Sequence, residues 1–140
     1  MQDLAFLVNA RGAFADGGKT VYVVDRELRP DNTRNHALRK STDGGRTFGP
    51  PVEISDDGWK VEECPHSGPT IGQDGRGHLH VTWFTLGRSP EEAGVYYTVS
   101  TDGGRTFAPR RQVHRLAGPA ILHTTLAVAP DGTVWLAWDN

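Results

Sequence analysis

The octapeptide Ser41-Thr42-Asp43-Gly44-Gly45-Arg46-Thr47-Phe48 recurs residue for residue as Ser100-Thr101-Asp102-Gly103-Gly104-Arg105-Thr106-Phe107, a shift of 59 residues (100 − 41). The same shift runs back without a gap, setting Gly18 on Gly77 and Thr20 to Val24 on Leu79 to Trp83. A third copy opens near the end of the chain. There Pro130-Asp131-Gly132 matches Gln73-Asp74-Gly75, and Thr133 to Trp138 matches His78 to Trp83 with a turn two residues shorter. Upstream of that turn the shift becomes 57, which sets Ser67 on Thr124 and His66 on His123. A chain that repeats itself at this spacing is an array of like units, each too thin to bury its faces alone.

Alternation and bounding turns give each unit four strands. In the second unit these are strand A around Gly68–Gln73, B at His78–Thr85, C at Gly94–Ser100 and D around Arg111–Arg115. The first unit reads as B at Thr20–Arg26, C at His36–Ser41 and D around Val52–Ser55, with strand A near Phe6–Phe14. Gly (17) and Pro (9) are scattered between short apolar runs, as many tight turns require. Antiparallel four-stranded sheets repeated radially make a propeller. The expected fold is therefore all-β, in a partial or oligomer-completed β-propeller: blade 1 about 1–55, blade 2 about 56–115 and partial blade 3 about 116–140. Self-association or further sequence is expected to close the ring.

The formal charge of −2 carries no basic or acidic run, so neither nucleic acid nor a membrane is an expected partner. No signal peptide or spanning segment is visible, and a single cysteine, Cys64, leaves the compartment open.

In the octapeptide, glycine serves positive φ, and short polar side chains can bond the turn's own amides. Asp43 and Asp102 are read as turn locks, with Phe48 and Phe107 as anchors. Two such motifs at blade spacing resemble the Asp-box, or BNR, repeat of the sialidase-like superfamily, carried here by Ser41, Asp43, Gly45, Thr47 and Phe48 and by Ser100, Asp102, Gly104, Thr106 and Phe107. The resemblance implies a segment of a glycan-binding or glycan-processing protein, with exo-sialidase or another glycoside hydrolase as the enzymatic form and a non-catalytic binding or interaction scaffold as the alternative. It also implies that the boxes lie opposite the ligand funnel. The Arg-Ile-Pro signature is absent, and Tyr22, Tyr96 and Tyr97 fall inside strands, so no catalytic set is assigned.

The D–A and B–C connections of a propeller share one rim, where loops on a rigid scaffold take up binding. This selects Ser55–His66, Arg115–His123, Arg26–Asn35 and Thr85–Ala93. Within them the candidates for a carbohydrate or other small-molecule ligand are His66 and His123 as neighbours at the channel mouth, then Cys64, Glu62 and Arg26, and Trp59 as a ligand-facing aromatic. Cys64 and His66 fall short of a tetrahedral donor set, so no metal and no other cofactor is expected. Trp83, Trp135 and Trp138 are expected between blades.

Overall fold

The computed structural model describes residues 8–62, 65–118 and 120–139. Ten strands follow one another: β1 (Val8–Ala15), β2 (Thr20–Leu28), β3 (Thr33–Ser41), β4 (Val52–Lys60), β5 (Thr70–Gln73), β6 (Leu79–Thr85), β7 (Gly94–Ser100), β8 (Arg111–Arg115), β9 (Thr124–Val128) and β10 (Val134–Trp138). Apart from one 3-10 turn at Asp16–Gly18, all regular structure among the described residues is β. β1 to β4 pair in order as one antiparallel sheet, β5 to β8 as a second and β9 with β10 as a third, two-stranded one. The all-β, antiparallel expectation holds at this level.

The sheets pack face to face. Tyr22, Val24, Leu38 and Ile54 of the first meet Ile71, Leu79, Val81, Trp83 and Tyr96 of the second in one apolar cluster. Trp59, Phe84, Val95 and Leu122 form another, with Leu116 and Trp138 against it. Trp83 is fully buried, and a large apolar side chain removed from water in this way is worth about 1.5–3 kcal/mol.

Strand pairing corrects the repeat alignment. Val21 pairs with Ser41, and Leu79 pairs with Ser100. Because Ser41 and Ser100 are the same residue of the octapeptide, Leu79 is the counterpart of Val21, a shift of 58 (79 − 21), and not of Thr20. The path from β6 to the octapeptide is one residue longer than the path from β2, so the octapeptides stay 59 apart while the strands before them do not. Side chains alternate with period two, so this single residue exchanges the two faces. Tyr22 corresponds to His80, and Asp25 to Trp83.

The third unit is corrected as well. Asp74 N–H donates to the His78 carbonyl at 3.1 Å and Gly77 N–H to the Asp74 carbonyl at 3.0 Å; Ala129, Thr133 and Gly132 repeat both bonds at 2.8 and 3.0 Å. The turns are the same length, and the shift is 55 (129 − 74). His123 therefore stands level with Gly68, not with His66. Trp138 matches Trp83 and is partly buried against the second sheet, but Trp135 matches His80 and lies on the far face, 59% exposed. The expectation that Trp135 fills a space between sheets fails for that reason.

Both octapeptides fold as self-bonded turns between β3 and β4 and between β7 and β8. Ser41 Oγ–H donates to Asp43 Oδ1 at 2.7 Å and accepts Gly45 N–H at 2.9 Å. Asp43 accepts Thr47 N–H at 2.9 Å and Thr47 Oγ–H at 2.6 Å. Ser100, Asp102, Gly104 and Thr106 repeat the set. Gly45 and Gly104 take φ of +85° and +83°, which a side chain would strain. The Thr106 hydroxyl and amide lower the Asp102 carboxyl to about 2, and those of Thr47 hold Asp43 lower still. Phe107 packs on the first core cluster, and Phe48 is half-buried.

Candidate functional site: a two-part groove

The end of the sheets away from the octapeptides carries the β2–β3 and β6–β7 connections and the C-terminal half of β4. The β2–β3 turn closes through Asn32 N–H on the Arg29 carbonyl at 2.9 Å, and Asp31 Oδ1 accepts Thr33 N–H at 3.1 Å. The β6–β7 loop is tied by Gly87 N–H on Thr85 Oγ1 at 3.0 Å and Arg88 N–H on Glu92 Oε2 at 2.9 Å. Gly58, at φ +63°, lets Arg88 cross the β4 backbone; a Cβ there would stand 2.5 Å from Arg88 Nε. Asp56 then pairs with Arg88 at 2.9 Å, and Asn35 braces this stretch, its Nδ2–H on Asp56 at 3.3 Å and its Oδ1 accepting Gly58 N–H at 3.0 Å.

Two cavities open here and share Lys60, Gly87 and Arg88. One, of about 600 Å³, is charged, with Arg29, Asp31, Thr33 and Asp56 in its wall. The other, of about 520 Å³, is largely apolar, lined by Trp59, Leu86, Pro90, Ala93 and Leu116. The acids are occupied. Asp31 lies 3.7 Å from Lys60 Nζ, and its bonds from Thr33 hold its carboxyl below the ordinary range. Arg29 pairs with Glu53 at 2.6 Å. Lys60 is two-thirds exposed and, among the described residues, has one loose ion-pair partner, so of the groove's cations it is the most open to a ligand.

Behind the groove Asp57 is fully buried. Its Oδ2 accepts His36 Nδ1–H at 3.1 Å, Ser55 Oγ–H at 2.9 Å and Trp83 Nε1–H at 2.9 Å, while Arg110 binds Oδ1. Burial pushes the Asp57 carboxyl up, but the hydrogen bonds of His36 and Ser55 and the charge of Arg110 outweigh it and hold the group ionised, below its ordinary range. Burial also drives His36 down, against the pull of Asp57, so the imidazole is neutral. Its Nε2 has no hydrogen-bond partner among the described residues. Arg110 further stacks over Tyr96 at 4.6 Å. Asp57, with His36 and Ser55, comes from the first sheet; Trp83 and Arg110 come from the second or its preceding loop. The cluster is a buried polar rivet between the sheets, and it fixes β4, which supplies Asp56, Gly58, Trp59 and Lys60 to the groove.

The side chains singled out from sequence are distributed otherwise. Trp59 is not in a connection: β4 runs on to Lys60, and Trp59 is 4% exposed, edge-on to Phe84 at 5.9 Å. It supplies the groove's apolar wall from the core. Arg26 is buried, and its guanidinium donates to the Pro65 and Ser67 carbonyls, so it pins the segment before β5 and lines neither of the two cavities. His66 and His123 are both exposed just ahead of β5 and β9, and the Ser67 hydroxyl donates to the Leu122 carbonyl at 2.5 Å, bringing the two segments together. They are not counterparts, His123 pairs with Asp139 at 2.7 Å, and neither lines the two cavities. Glu62 is exposed in the connection after β4. Cys64 lies outside the described residues.

Sequence reasoning missed Lys60, Arg88, Leu86, Pro90 and Leu116 as side chains, although it had selected the segments that carry all but the arrangement of them. It missed Asp57 altogether, and no signal in Ser55-Asp56-Asp57-Gly58 separates an exposed acid from a buried one. Among the described residues no group of three or more His, Cys, Asp or Glu is placed to hold a metal ion. No protein-family model matches the chain, and no curated protein aligns with it at a significant level.

Proposed function

We propose that this chain is a segment of a sialidase-like, Asp-box β-propeller that binds an acidic saccharide in the two-part groove, as a binding module and not as a hydrolase. The observation that carries the reading is the shared boundary of the two cavities. Lys60 and Arg88 stand between a charged compartment and an apolar one, and an acidic sugar presents a carboxylate beside apolar ring and acyl surface. Guanidinium and ammonium groups suit the carboxylate, and the Trp59–Leu86–Pro90 wall suits the apolar face. Glycoside hydrolysis calls for a carboxylic acid kept protonated opposite a second carboxylate. The carboxylates in the groove wall, Asp31 and Asp56, are both engaged by cations, which favours holding over cleaving. The repeated self-bonded turns, set at the opposite end from the groove, support the propeller reading.

The test is isothermal titration of a sialylated trisaccharide and its desialylated counterpart, alongside a fluorogenic sialoside assay. Binding of the acidic sugar alone, weakened at least about tenfold (1.4 kcal/mol) by Lys60→Gln and without turnover, is the expected result. Equal binding of both sugars removes the role of the cations. Turnover of the sialoside removes the binding-only reading.

A further inference from the structure

The inner strand of each unit follows a size rule. The face of β1 turned to the second sheet carries Ala13 and Ala15, which pack on the cluster containing Ile71. The face of β5 turned to the third sheet carries Thr70 and Gly72, and Leu126 and Val128 of β9 fill the space. A Cβ on Gly72 would stand 2.7 Å from Val128 Cγ2 and 2.8 Å from Leu126 Cδ1. In both interfaces the earlier unit offers small side chains and the later unit inserts large ones. Two faces carry the halves of this rule without a partner among the described residues. The outward face of β9 offers Thr125 and Ala127, both exposed. The outward face of β1 presents Phe14, 70% exposed.

A second contact obeys a rule of its own. Tyr22 of the first unit lies over the octapeptide turn of the second, its ring 3.8 Å from where a Cβ on Gly104 would be and its hydroxyl 3.9 Å from one on Gly103. Trp135 is the third unit's counterpart of Tyr22, through His80. The first unit's counterparts of Gly103 and Gly104 are Gly44, which is exposed, and Gly45, which is only partly buried where Gly104 is buried.

We infer that a second copy of this chain docks head to tail on the first, with Phe14 of one copy seated over Thr125 and Ala127 of the other and Trp135 of that other copy laid on Gly44 and Gly45. The occupant is a second copy because one chain carries both halves of the interface: Phe14 stands at the register position of Val128, which fills the space at Gly72, and Trp135 at that of Tyr22, the first contact being made at both sheet interfaces of the chain and the second at one. The grounds are sheet packing and register, independent of the ligand proposed above. Such an interface is heterologous: unlike patches meet, and the assembly either closes into a ring or extends.

The test is multi-angle light scattering across a concentration series on the intact chain and on Phe14→Asp and Trp135→Asp. Both side chains are exposed, so the variants keep the core; unchanged near-ultraviolet circular dichroism checks this, and Phe14→Ser and Trp135→Ser replace them if it changes. The wild type is expected at two or more times 15.3 kDa, and each variant alone at the monomer mass. An equimolar mixture of the two variants retains one Trp135 face and one Phe14 face, and is expected to give a complex of two chains and no larger. A monomeric wild type overturns the inference. So does a variant mixture that stays monomeric at the highest concentration, or a wild-type complex abolished by Trp135→Asp but untouched by Phe14→Asp, which would be like-to-like pairing of the third sheet.

Discussion

Replacing Asp57 with alanine tests whether the buried rivet holds the two larger sheets in register. Removing the carboxylate takes the acceptor from His36 Nδ1, Ser55 Oγ, Trp83 Nε1 and Arg110 at once, and three of those residues are essentially unexposed. Breaking a buried ion pair by deleting one partner costs about 3–5 kcal/mol, because the other charge is left uncompensated. Arg110 keeps some access to water at 24% exposure and can turn to Glu92, 3.7 Å away, so the lower end, about 3 kcal/mol, is expected. Against a typical domain stability of about 5–15 kcal/mol that is a large share, and the urea midpoint should fall well below the wild-type value. The measurement is equilibrium urea unfolding at pH 7, followed by tryptophan fluorescence at low protein concentration. Asp57→Asn keeps the shape and one acceptor oxygen but loses the charge, and should fall between wild type and alanine. The sign with pH is fixed. Asp57 has a lowered pKa when folded, so its contribution is complete above its unfolded value of 3.8 and is lost as pH falls below that. His36, also lowered, begins to cost stability below about 6.5. Alanine at position 57 with a loss under about 1 kcal/mol would refute the reasoning, as would an unchanged acid limb in the asparagine variant.

Asp25 is the opposite case. Burial raises its carboxyl to about 6 against the pull of Arg39, so its contribution is complete below 3.8 and lost as pH rises through 6. The upper bound of ~3 kcal/mol, from 1.36 kcal/mol per tenfold change in proton affinity, is cut by screening at the partly open Arg39 to about 1–2 kcal/mol, and Asp25→Asn should remove that decline in urea midpoints between pH 4 and 7. The octapeptide aspartates stabilise above 3.8 and lose that contribution as pH falls, for Asp102 through about 2; the Asp43→Asn, Asp102→Asn double variant should show a flatter acid limb from pH 4 to 2. Gly58→Ala should destabilise by about 1–2 kcal/mol, the cost of a left-handed backbone in a residue with a Cβ. It should also weaken acidic-sugar binding by pushing Arg88 off the strand, both readable by thermal melts and titration.

The strands most legible in the sequence are those bounded by turn chemistry on both sides. β7 and β8 have the limits that alternation and bounding turns give them, Gly94–Ser100 and Arg111–Arg115. The local pattern places β4 around Val52–Ser55, and the strand runs on through the polar Asp56-Asp57-Gly58 to Lys60. The stretch holds as strand, with Asp57 buried, because its groups are satisfied from outside, by Asn35, His36, Trp83 and Arg110, and those partners are 21 to 53 residues away, beyond any local pattern. The groove inherits the same opacity. Its loops could be selected from topology, but Lys60 and Trp59 lie on the stretch of β4 that did not look like strand.

The repeat carried a subtler trap. An ungapped match of 59 residues is correct for the octapeptides and wrong by one for β2 against β6, and in a strand an error of one exchanges inside for outside. On the uncorrected alignment Val24 matches Trp83, both face the same interface, and the first and second units present one common face to each other, an arrangement that leaves no rule for a further neighbour. With the corrected shift, Tyr22, His80 and Trp135 fall on one face of their units, and Val21, Leu79 and Val134 on the other. Each unit then turns one face forward and the other back, so the faces bearing Trp135 and Phe14 become two halves of one interface and not two unrelated apolar patches. Phe14 and Trp135 cost the chain exposed apolar surface of the kind soluble proteins keep small. The register supplies the reason for that cost, since Phe14 stands where Val128 of the third unit fills the space at Gly72 of the preceding sheet, and Trp135 where Tyr22 of the first unit lies across the turn of the next.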